Sequence, residues 1–143
     1  MEKNKWIILG ITTLAIFMTP LDSSITNVAM PAIAETFHAS FNLAALVPLL
    51  YLLSLGVFMI PLGKLADIHG RKYFFIAGLI IFTAASFFSG ISQTIIQLLV
   101  SRLVQGIGAA LLASTGTAII TESFPNNQRG LALSISTTAV YVG

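Results

Sequence analysis

Asp22 and Arg102 are charged side chains set inside long apolar stretches of the chain. At the centre of a membrane helix each costs about 2.5 to 3.5 kcal/mol on insertion scales, so neither belongs against lipid. Ionisable residues so placed are commonly functional. The other reading puts Asp22 at a helix end and lets Arg102 snorkel to the outer interface. Depth favours a shared compartment: counted from Trp6, Asp22 lies ~24 Å into its span, and counted from Ile95, Arg102 lies ~10 Å in from the opposite side. Across a ~30 Å hydrocarbon core both fall in the same half. Pro20 cannot donate to the carbonyl of Ile16, which predicts a bend and a free carbonyl just before the acid.

The elements that carry these residues must be membrane helices. Charged residues make up 8% of the 143-residue chain, against about 25% in a soluble domain, and the mean hydropathy is +0.93. Seven Lys and Arg and five Asp and Glu are too few to clothe a soluble core. The pI of 9.2 rests on scattered cations that never form a basic run, which excludes a nucleic-acid surface. No Cys is present, so there is neither a disulfide framework nor a Cys-based metal site.

The apolar pattern predicts an all-α, polytopic membrane protein with four transmembrane helices and the start of a fifth, over residues 6–30, 43–63, 73–89, 95–121 and 131–143. A cleaved signal peptide fits the first stretch poorly, because it is too long, carries an acid and is followed by further spans. Gly90 to Thr94 splits the uncharged run between Lys72 and Arg102 by a short turn, and Glu122 to Gly130 has the Pro and Asn of a loop. The last stretch is shorter than the ~20 residues a crossing needs, so the chain is expected to be truncated. Lys3, Lys5, Lys64, Arg71, Lys72 and Arg129 all fall on one side of these spans, whereas the opposite loops, 31–42 and 90–94, contain no Lys or Arg. The cation-bearing side, with the amino terminus, is therefore expected to be cytoplasmic.

Other motifs have structural readings. Gln105, Gly106, Gly108 and the following alanines give span four a small-residue packing face. The string from Gly106 lacks the third Gly and the preceding strand of a dinucleotide fingerprint. Gly63 to Lys72 is expected to form a tight charged hairpin, with Asp67 and Arg71 spaced to pair on one helical turn and Gly63 and Gly70 available for close packing or a left-handed turn. His38 and His69 each lack a second His or Cys to make a metal site. Neither a nucleophile–base pair nor a metal cluster is visible, so the expectation is no enzyme, no cofactor and no metal.

Three segments in order resemble the major facilitator superfamily, in particular its fourteen-span drug/proton antiporter branch. Leu21 to Pro31 is similar to that branch's first-span motif, L-D-x-T-I-V-N-V-A-L-P, with conservative departures at Ser24, Thr26 and Met30. Gly63 to Phe75 resembles the loop motif G-x-L-A-D-R-x-G-R-K-x-x-L, departing at Ile68 and Phe75. Leu98 to Ala110 matches L-x-x-x-R-x-x-Q-G-x-G-A-A, with Arg102, Gln105, Gly106 and Gly108 in place.

The resemblance implies the amino-terminal part of a six-helix half, in which inverted repeats make spans one and four equivalent and place both at a central cavity. It assigns Asp22 to proton and cationic-substrate binding and Arg102 to proton coupling. Gly63, Asp67, Gly70, Arg71 and Lys72 become a conformational loop motif, with Asp67 docking on the absent carboxy-terminal part and so lacking a partner in this chain. The implied function is proton-coupled export of drugs or other lipophilic small molecules across the cell membrane. The implied partners are the lipid bilayer, protons, a small-molecule substrate of unknown identity and the missing part of the transporter. The competing expectations are a carrier of another solute, a non-transporting fragment and a small helical membrane partner.

Overall fold

The computed structural model describes residues 2–142, the side chains of Glu2 and Lys3 excepted, as five helices: α1 (Glu2–Thr36), α2 (Phe41–His69), α3 (Arg71–Gly90), α4 (Ile95–Ser123) and α5 (Asn126–Val142). The first four, α1 counted from Asn4, are long and apolar enough to cross a membrane. With no water in the hydrocarbon region, every backbone polar group must be satisfied within its own segment, and helices do this. Hydroxyls follow the same constraint by bonding back along the helix, as Thr12 does to the Ile8 carbonyl, Ser101 to Gln97 and Thr115 to Leu111.

The connections are shorter than the sequence suggests. Residues 63–72 are not a hairpin loop: α2 runs on to His69, and Gly70 alone joins it to α3. Gly70 has φ of 108°, a conformation that favours glycine, and its N–H bonds to the Ala66 carbonyl at 2.9 Å. Lys64 and Asp67 therefore sit on a helix that continues past the apolar segment, because charged residues end a span without ending a helix. Likewise only Phe124 and Pro125 separate α4 from α5, so the polar residues 126–130 are helical rather than a loop.

At the opposite end α1 closes in a Schellman pattern, with Ala39 N–H bonded to the Ala34 carbonyl and His38 N–H to Glu35. His38 takes the left-handed position with φ of 47°, which gives it a structural role. Side chains of Ser40 and Thr94 accept the N–H groups of Leu43 and Gln97 and cap α2 and α4.

Helix α4 is the hub, packing against α1, α2, α3 and α5. Its small residues permit this. A Cβ added at Gly106 would stand 2.5 Å from the Tyr51 carbonyl oxygen on α2, and one at Gly108 2.6 Å from the Phe82 nitrogen on α3. The backbones on both sides are thus already at contact, and Tyr51, Phe82, Ala109 and Leu112 fill the space between.

These contacts predict that Gly108→Ala lowers the apparent melting temperature in detergent, by the equivalent of roughly 1 to 3 kcal/mol for overpacking against backbone. Gly10→Ala is the matched control, since a Cβ there meets nothing within 4 Å. Equal melting temperatures for the two variants would contradict the packing.

Candidate functional site

Asp22 on α1 and Arg102 on α4 form an ion pair, with Arg102 Nη1 donating to Asp22 Oδ2 at 2.6 Å. The second carboxylate oxygen, Oδ1, accepts from Gln105 Nε2 at 2.9 Å, and Gln105 Oε1 accepts from Arg102 Nη1 at 3.1 Å. The three side chains close a ring. Gln105 is fully buried, and the side chains of Arg102 and Asp22 are 12% and 18% exposed. Both carboxylate oxygens of Asp22 are satisfied by Arg102 and Gln105, which is the condition under which charge can sit in a low-dielectric interior. Arg102 is therefore turned inward rather than snorkelled to the interface.

The residues around Pro20 complete the setting. The Ile16 carbonyl, expected to be free, accepts instead from the Thr19 hydroxyl at 2.8 Å. The Thr19 carbonyl in turn accepts from Tyr51 OH at 3.2 Å. Tyr51, on α2 and 2% exposed, thereby ties the proline-weakened turn of α1 to its neighbour. Proline's missing donor is replaced locally, so no stray acceptor stands beside Asp22.

Two of these participants went beyond the sequence reading. Gln105 was assigned to helix packing, yet it also holds the carboxylate; its spacing of three from Arg102 on one helix face was the available signal. Tyr51 had no signal beyond its type. Gly106 and Gly108 lie at the packing contacts already described.

A second polar cluster occupies the cation-bearing end. Arg71 Nε donates to Asp67 Oδ1 at 2.7 Å, and Arg71 Nη1 pairs with Glu122 Oε1 at 2.7 Å. Asp67 thus has the i,i+4 partner that its spacing allowed, although the resemblance implied none within this chain. Glu122, expected in a loop, lies in the last turn of α4 and clasps the start of α3. Gly63 faces Ser114 on α4, where an added Cβ would stand 3.3 Å from the Ser114 Cβ. Lys72 is exposed. Nearby, Lys5 Nζ donates to Gln128 Oε1 at 3.0 Å and Arg129 Nε to the Phe124 carbonyl at 3.0 Å, which gathers the starts of α1 and α5 at the same end. An open groove of about 690 Å³ at this end, lined by Ile8, Phe75, Ile76 and Ile119 among others, includes none of the Asp22 ring.

Comparison with known proteins shows the family to which this chain belongs. The Major Facilitator Superfamily profile matches residues 12–143. The riboflavin transporter RibZ of Clostridioides difficile (strain 630) is 37% identical over 99% of this chain and 31% of its own length. Multidrug resistance protein 3 of Bacillus subtilis (strain 168) is 39% identical over 89% of this chain and 24% of its own length. Multidrug resistance protein Stp of Mycobacterium tuberculosis (strain CDC 1551 / Oshkosh) is 32% identical over 100% of this chain and 27% of its own length. The chain belongs to the major facilitator superfamily and is a multi-pass α-helical membrane protein. It spans about a third or less of the length of these relatives.

The ring predicts strong coupling in a double-mutant cycle on thermal stability in detergent. Arg102→Ala leaves a buried carboxylate unpaired, which costs about 3 to 5 kcal/mol. Asp22→Asn combined with Arg102→Ala should recover part of this loss. Strictly additive effects would show that the two charges do not depend on each other.

Proposed function

We propose that this chain is the amino-terminal part of a proton-coupled transporter that exports lipophilic small molecules across the cell membrane. The observation that carries the proposal is the buried ring of Asp22, Arg102 and Gln105 joining α1 to α4. Under the inverted-repeat plan these two helices are equivalent and line the central cavity. A proton reaching Asp22 would convert the carboxylate to a carboxylic acid and remove the charge that holds Arg102, while Arg102 keeps its own proton. The guanidinium would then be a buried charge without its counter-ion, which favours rearrangement between α1 and α4. An inward proton gains ~2.3 kcal/mol per 100 mV of membrane potential, enough to drive a substrate outward against its gradient.

The names of two relatives, both multidrug resistance proteins, support export of drug-like compounds. A second reading, carriage of a polar heterocyclic solute, is favoured by the relative named as a riboflavin transporter, which matches 99% of the chain. Both readings place the amino terminus in the cytoplasm, with Asp67, Arg71 and Arg129 on that side and Glu35 outside. The loop motif around Gly70 is proposed to act in the conformational change, with Arg71 holding α3 to Asp67 and Glu122.

The test uses the full-length protein in vesicles. Proton-gradient-driven efflux should be lost in Asp22→Asn and uncoupled in Arg102→Ala, at equal expression, with partial rescue by Arg102→Lys, which restores charge without the planar fork. Wild-type driven efflux in Asp22→Asn would make the acid structural. For orientation, a single Cys introduced at position 69 of this Cys-free chain should react from the cytoplasmic side; reaction only from outside would invert the topology.

A further inference from the structure

The guanidinium of Arg102 is only partly accounted for by the ring. Its Nη1 serves Asp22 and Gln105, whereas its Nε is buried without a hydrogen-bond partner among the described residues. The hydroxyl of Ser89 is in the same condition. Both residues line one pocket of about 390 Å³ at the cation-free end of the bundle, between the end of α1, the end of α3 and the start of α4, and Thr36, Ser86 and Ser92 line it as well. Ile33, Phe37 and Leu98 line it too, so the wall is mixed, with four hydroxyl residues and Arg102 supplying its polar part. Buried polar groups lacking protein partners, as Arg102 Nε and Ser89 Oγ are among the described residues, are normally met by water. Gly90 and Ser92 mark the level of the outer turn, and Arg102 sits ~10 Å deeper along α4. The pocket therefore runs from the bundle's end to Arg102, behind which Asp22 stands without lining it.

We propose that this pocket is a hydrated vestibule through which protons from the outer side reach Asp22, and in which Arg102 is solvated once the proton has displaced it. The inference deepens the proposed transport function and rests on it. A hydronium ion in the vestibule gives its proton to Asp22 Oδ2: an O–H bond forms on the carboxyl group, one in hydronium breaks, and water remains. Arg102 keeps all its protons, and its freed Nη1 turns to the water and the hydroxyls of the pocket. The groups facing Asp22 are Arg102 and Gln105 from α4, with Tyr51 of α2 in electrostatic range of both charges. Glu35 and His38 lie on the outer segment but do not line the pocket.

The experiment has two arms on the full-length protein. In the first, Ser86→Cys and Ser89→Cys are treated from outside with a membrane-impermeant cationic methanethiosulfonate. Phe87→Cys is the lipid-facing control on the same turn, its native side chain being 66% exposed. Because only a hydrated thiol ionises and reacts, both serine positions should be modified at least about tenfold faster than the control. Rates equal to the control mean a dry pocket and overturn the proposal. In the second arm, Ser89→Leu should cut proton-driven efflux several-fold while leaving equilibrium binding of the transported substrate unchanged. Wild-type driven efflux in that variant, with the thiols reactive, overturns the proton route. If wild-type efflux ignores the gradient altogether, the underlying transport reading fails visibly on its own, and the route fails with it.

Discussion

A charge inside hydrocarbon must be paired or removed, and the bundle is arranged so that one acid on α1 meets that demand through α4. The Asp22 side chain is only 18% exposed, so its two oxygens need donors held at fixed positions. Arg102 and Gln105 supply them from one face of α4. For those donors to reach α1, the backbone of α4 must come close to its neighbours, and this is what Gly106 and Gly108 allow. The small-residue face and the polar ring are consequences of one requirement, close helix approach around a buried charge.

The same approach restricts the rest of the bundle. Tyr51 packs behind Gly106 and bonds to Thr19, so the turn of α1 weakened by Pro20 is braced from α2. At the cation-bearing end Arg71 braces α3 against α2 and α4 through Asp67 and Glu122. Those carboxylates are more than half exposed and screened by water, so each pair contributes on the order of 0 to 1 kcal/mol to stability. Their value is positional: the pairs fix how the helix ends meet at Gly70, where a single residue turns the chain. The two ends of the bundle thus differ in kind, one held by exposed charges in water and the other leading through hydroxyls to a buried charge.

Much of this was legible in the sequence. Long uncharged stretches can be satisfied only as membrane helices, so α1 to α4 were foreseen, and the turn at Gly90–Thr94 fell where a polar pentapeptide interrupts an overlong run. Depth put Asp22 and Arg102 near one level, because a ~1.5 Å rise per residue converts position into level. The repeat equivalence implied by the resemblance put their helices at one cavity; their direct contact was not read from either. Hidden instead were features that depend on which groups share a helix face or a neighbour. Charges at 64–72 and 126–130 suggested loops, yet the helices continue through them, since a polar residue ends burial in lipid and not hydrogen bonding along the backbone. Thr19 satisfying Ile16, Tyr51 reaching Thr19 and Glu122 meeting Arg71 each require a distance in space that residue types do not encode.

We propose that Asp22 is the group that takes up and releases the proton. Infrared difference spectroscopy of the full-length protein, titrated from alkaline to acid with and without transported substrate, reads this directly through the carbonyl stretch of a protonated carboxylic acid. If Asp22 carries the proton, a band rises as the pH falls, shifts when substrate binds and is absent in Asp22→Asn. An unchanged band in Asp22→Asn, or none in the wild type, would place the proton elsewhere and leave the ring with Arg102 and Gln105 a structural device.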